Sequence, residues 1–94
     1  GKWDEATSHF KESMEIKKKL GDVQGYSKSL MNLGLVYMNQ GKWDEATSHF
    51  KESMEIKKKL GDMQGYSKSL TNLGLVYKNQ GKWDEATSHF TGIF

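Results

Sequence analysis

The 94-residue chain has no cysteine, no proline and no arginine. Without cysteine there are no disulfides and no thiolate chemistry, and the redox compartment is left open. Without proline nothing breaks a helix from within. Without arginine the chain lacks the side chain best shaped for bidentate phosphate recognition. Its cations are 14 lysines set against 12 Asp and Glu, a net charge of +2. The two signs interleave, so no broad basic field forms and nucleic acid is not an expected partner. Long apolar runs are also missing. The longest mostly apolar stretch without a charge, residues 30–38, is far short of a bilayer span, and no membrane association is expected. No signal-peptide pattern is present, which reads as cytoplasmic. The chain opens on Gly1, the first letter of its repeat frame, which reads as a fragment or an engineered piece.

What the chain does contain is itself, twice. Residues 1–40 align with 41–80 without a gap, and 37 of 40 positions are identical. The differences are Val23/Met63, Met31/Thr71 and Met38/Lys78. A third copy begins at residues 81–90 and breaks off into Thr-Gly-Ile-Phe. A fixed period of this size marks a stacked solenoid, in which each unit buries its apolar face on its neighbours.

Each period holds two helical patterns. In residues 23–40, Tyr26, Leu30, Leu33, Gly34 and Tyr37 recur at spacings that share one helix face. Asp22 precedes them at the N-cap and Gly41 follows, where a left-handed residue closes a helix. In residues 43–60, Trp43, Ala46, Phe50 and Met54 form a second stripe. Asp44 and Glu45 lie in its first turn and Lys57, Lys58 and Lys59 in its last, both favourable to the helix dipole at ~0.3–1 kcal/mol per exposed charge. No stretch alternates as a strand does. The interior Gly34 costs ~1 kcal/mol of helix propensity, so it is expected to permit a close approach. The sequence suggests Ala46 as its small partner, with Leu33, Tyr37 and Phe50 filling the space beside them.

These residues resemble a tetratricopeptide repeat. Leu30, Leu33–Gly34 and Tyr37 match that family's first helix (A); Gly41, Trp43, Ala46 and Phe50 match its turn and second helix (B). Ser53 stands for the usual late alanine and Lys58 for the usual proline. The unit of 40 residues, longer than the common 34, is similar to the variant in G-protein-signalling modulators and prokaryotic repeat arrays. The resemblance implies an all-α fold: antiparallel helix-turn-helix repeats stacked into a right-handed superhelical solenoid. The whole chain, 1–94, is then one domain with helices at about 3–20, 23–40, 43–60, 63–80 and 83–92, in the order B-A-B-A-B.

The resemblance also implies a non-catalytic scaffold whose A helices line a groove for a peptide or helix of another protein. The residues carried over are Lys28, Met31, Asn32, Leu35 and Met38 in one unit and Lys68, Thr71, Asn72, Leu75 and Lys78 in the next. Two of the three differences between copies fall in this set, which fits either a groove tuned unit by unit or free drift at exposed sites. The family's clamp for a C-terminal carboxylate is incomplete: Asn32 and Asn72 match it, but Met31, Thr71, Leu35 and Leu75 do not. The first B helix has no A helix before it, so Trp3, Ala6, Phe10 and Met14 are expected to be incompletely covered. Ile93 and Phe94 leave a second apolar end. A structural or engineered module that associates with itself through these ends, a homo-oligomer, is therefore the alternative reading.

No reactive set emerges. His9, His49 and His89 recur one period apart, about 10 Å or more in a stack, too far to share an ion. None has a carboxylate and nucleophile beside it, so they read as surface histidines and no metal or cofactor is expected. The pairs Glu12 with Glu15 and Asp44 with Glu45 sit among lysines and read as solvated ion-pair partners. No Gly-rich phosphate loop is present, and enzyme activity is not expected.

Overall fold

A computed structural model describes residues 2–81. The expected helix at 83–92, with Ile93 and Phe94, lies outside the described residues. Four helices occupy them: α1 (Lys2–Lys19), α2 (Val23–Asn39), α3 (Trp43–Lys59) and α4 (Met63–Asn79). No strand occurs among the described residues, and the fold is all-α.

The connections show why the helices form hairpins. Gly41 adopts φ 76°, the left-handed region that a Cβ makes costly. Its N–H bonds the Met38 carbonyl at 3.0 Å, and the Lys42 N–H reaches back to Tyr37 at 2.8 Å. This paired closure satisfies the last helical carbonyls. The same two bonds close α1 around Gly21 and α3 around Gly61. Asp22 and Asp62 then act twice. Each donates its own N–H to the end of one helix, and each carboxylate accepts the N–H of Gly25 or Gly65, at 2.9 Å, to begin the next. One residue thus ends one helix and caps another, leaving little freedom between them.

Each helix packs chiefly on its sequence neighbours: α1 on α2, α2 on α3, α3 on α4, with α2–α3 the most extensive pair. The core is Leu33, Tyr37, Ala46, Phe50, Leu73 and Val76. Phe50, from α3, has no exposed surface and lies over Gly34 of α2. A Cβ built on Gly34 would meet three Phe50 ring atoms at 2.6–2.9 Å. The close approach expected at Gly34 is real, and the atoms nearest to it belong to the Phe50 ring.

Buried positions on α2 exceed one stripe. Ser27, Ser29 and Val36 are buried as well, because α2 is covered on one side by α1 and on the other by α3. Ser27 meets Ser53 across the α2–α3 contact. Their hydroxyls lie 3.0 Å apart, and the Ser53 hydroxyl donates to the Ser27 carbonyl at 3.1 Å. Ser53, where the family usually has alanine, therefore carries a polar link between two buried backbones. At the rim of the same contact the Tyr26 hydroxyl donates to Glu52 at 2.7 Å. That bond, with partial burial, pushes the Tyr26 phenol up to about 12.

Candidate functional site

Helices α2 and α4 carry the same residues one period apart at all but three positions, Val23/Met63, Met31/Thr71 and Met38/Lys78, so their corresponding positions lie on one side of the stack. Between them is a concavity of about 530 Å³ lined by Lys28, Met31, Lys57, Asp62, Gln64, Gly65 and Lys68. Three of the ten residues expected in a groove line it: Lys28, Met31 and Lys68. The other seven, Asn32, Leu35, Met38, Thr71, Asn72, Leu75 and Lys78, lie further along the same two helices.

Burial divides them. Lys28, Lys68 and Lys78 are exposed; Asn32, Thr71, Asn72 and Leu75 are half-buried. Met31, Leu35 and Met38 are half-buried and pack against the core, so each has a structural task beside any contact it offers outward. The Thr71 hydroxyl donates to the Ser67 carbonyl of its own helix at 3.1 Å, a bond Met31 has no means to make. The two copies thus differ in polarity at this point of the surface.

Lys57 was missed by sequence reasoning, which assigned the lysine run to dipole compensation at a helix end. Its ammonium donates to Gln24 Oε1 of α2 at 2.8 Å and pairs with Asp62 Oδ2 at 3.3 Å. Only 9% of the residue is exposed. It ties the C-terminal end of α3 to both A helices at the base of the concavity. The signal available in the sequence was spacing: Lys57, Asp62 and Gly65 repeat Lys17, Asp22 and Gly25, and only a lysine close to the turn can reach the capping carboxylate. Lys17 makes the corresponding pair with Asp22 at 3.4 Å, but with 40% of its side chain exposed. In both caps the N–H of the third helical residue, Gly25 or Gly65, is the main cause holding the carboxyl below its ordinary range, and the lysine adds to it.

The proposed end-contact residues are unevenly covered. Trp3 is 47% exposed; Ala6, Phe10 and Met14 are half-buried, with Phe10 and Met14 against the core. His49 is also half-buried rather than a free surface group. Its Nδ1 lies 2.8 Å from the Glu45 carbonyl, and its ring centroid is 5.1 Å from that of Tyr37. No cluster of His, Cys, Asp and Glu able to hold a metal occurs among the described residues. No helix among them is long and apolar enough to cross a membrane.

Comparison with known proteins agrees in fold. The model of the family described as tetratricopeptide repeat matches residues 1–59 and again 25–91. No curated protein sequence matches the chain. Among solved structures, the chain is similar to the crystal structure of the TPR domain of Arabidopsis FLU. The TM-score is 0.88, with 97% of this chain and 76% of that one covered at 22% identity. At that identity the likeness is one of fold.

Proposed function

Because the chain belongs to the tetratricopeptide-repeat family, a family of generally non-catalytic protein-interaction scaffolds, we propose that it holds a segment of another protein in the groove along α2 and α4. The observation that carries this reading is the concavity in which Lys28 and Met31 of α2 and Lys68 of α4 converge. Stacked helices supply a rigid surface, so a bound segment is ordered without reordering the scaffold. Two A helices offer a short contact, and an interface of that size is at the weak end of specific association. Residues Asn32, Leu35, Met38, Thr71, Asn72, Leu75 and Lys78 extend the contact along the helices.

Peptides selected against the chain by display, titrated into the isotopically labelled protein, test this. Amide shifts confined to α2 and α4 are the expected result. Shifts confined to the outer positions of α1 and α3 would overturn the groove reading. Simultaneous Asn32→Ala and Asn72→Ala substitutions, which leave the apolar core intact, should weaken the same peptides.

A second reading, self-association through the α1 face, is favoured by one observation. Trp3 is exposed and α1 has no buried residue, whereas α3, of the same sequence, has four. Sedimentation across concentration tests it. Trp3→Ser with Phe10→Ser should lower the association state, and a monomer at every concentration would dismiss the idea.

A further inference from the structure

The acidic residues are not distributed evenly. Among the described residues, α1 carries Asp4, Glu5, Glu12 and Glu15, and α3 carries Asp44, Glu45, Glu52 and Glu55. The remaining two, Asp22 and Asp62, are helix caps. Helices α2 and α4 contain no Asp or Glu at all; their charges are Lys28, Lys68 and Lys78. Both cap carboxylates are engaged on each oxygen, one by a glycine N–H and the other by a lysine. Asp62 therefore adds little free negative charge to the concavity. Lys57 is neutralised by the same pair. Lys28 and Lys68 are exposed, and neither makes an ion pair among the described residues. Two uncompensated ammonium groups thus flank an apolar Met31 in one concavity.

We propose that the concavity takes an acidic segment of a partner protein, two carboxylate side chains reaching Lys28 and Lys68 and an apolar side chain resting on Met31. This rests on the groove reading above and adds the chemistry of the occupant. Lysines so placed act as point charges and attract carboxylates without a fixed fork geometry. Rim charges of this kind set encounter rate and choice of partner, and their effect falls with salt. A nucleic acid is the less suited polyanion: no residue lining the concavity is aromatic, so no base has a ring to stack upon.

Fluorescence polarisation with three labelled synthetic peptides tests this. One alternates Glu with Leu, and the others replace every Glu by Gln or by Lys. The Glu peptide should bind best and weaken in high salt. Joint Lys28→Glu and Lys68→Glu substitution should lower its affinity roughly tenfold and raise that of the Lys peptide. Both lysines are exposed, so the variant should fold, and its helical circular dichroism checks this. If the Gln peptide binds as tightly as the Glu peptide, and its amide shifts map to α2 and α4, the groove stands and the acidic preference falls. Equal binding of the Glu peptide to variant and parent also overturns the preference, as does tighter binding of a single-stranded oligonucleotide with the same lysine dependence. If none of the three binds while display peptides do, the preference fails alone. If neither class binds, both readings fail.

Discussion

Gly34→Ala pits helix propensity against packing, and the structure says which prevails. On propensity alone the change stabilises a helix interior by about 1 kcal/mol. The new methyl, however, would stand 2.6, 2.8 and 2.9 Å from three atoms of the Phe50 ring. Unstrained carbon contacts fall near ~3.5–4.0 Å, so the ring must retreat by roughly 1 Å. It has nowhere to go: Phe50, Leu33, Leu73 and Val76 have no exposed surface and form one packed cluster. Overpacking of such a core costs about 1–3 kcal/mol. The two contributions leave Gly34→Ala destabilising by about 1 kcal/mol, with the sign set by the ring. Urea unfolding followed by helical circular dichroism measures it. Phe50→Leu alone should cost about 1–2 kcal/mol by opening a void. The double variant should cost less than the sum, because the alanine methyl then occupies space the ring has left. Stabilisation by Gly34→Ala, or strict additivity with Phe50→Leu, would refute the reasoning.

Three further expectations concern the polar links. Ser53→Ala should cost about 1–3 kcal/mol in the same unfolding assay, because it strands the buried Ser27 groups; adding Ser27→Ala should recover part of the loss. Lys57→Met should lower the thermal midpoint more than Lys17→Met, since the two pairs have the same chemistry but Lys57 is far less exposed and also holds Gln24. Asp22 and Asp62 are held below their ordinary pKa, so their contribution is present above the unfolded value and lost as pH falls through the folded one. Urea midpoints taken between about pH 5 and pH 2 should therefore fall less in the Asp22→Asn, Asp62→Asn double variant, which keeps a capping oxygen without a titrating group.

Much of the local structure was legible before any coordinates. The left-handed Gly41 and the capping Asp22 could be placed because their backbone roles are local and admit few residue types. The apolar stripes pointed to Leu30, Leu33, Tyr37, Ala46 and Phe50, all of which are buried. The candidate site was less legible. Lys28, Met31 and Lys68 were chosen by resemblance, but Lys57 and Gln64 enter the concavity from different helices, and nothing in the order of letters announces that meeting. How closely the Phe50 ring lies over Gly34 was also not legible, because that distance is set by how two helices pack and not by neighbouring letters.

The limit is plain in the string Trp-Asp-Glu-Ala-Thr-Ser-His-Phe-Lys-Glu-Ser-Met-Glu-Ile-Lys-Lys-Lys, which the described residues contain twice. By itself it determined a helix with acidic start, basic end and one apolar stripe, and both copies are that helix. Propensity, caps and dipole are properties of neighbouring letters, so they come out alike in each. Burial did not. Phe50, Ala46, Ser53 and Lys57 are enclosed in α3, while no residue of α1 is. The reason is packing: α3 lies between α2 and α4, whereas α1 rests chiefly on α2 among the described helices. The same letters thus yield a core aromatic or a half-covered one, and a sequestered lysine or an open one, according to how many helices lean on them.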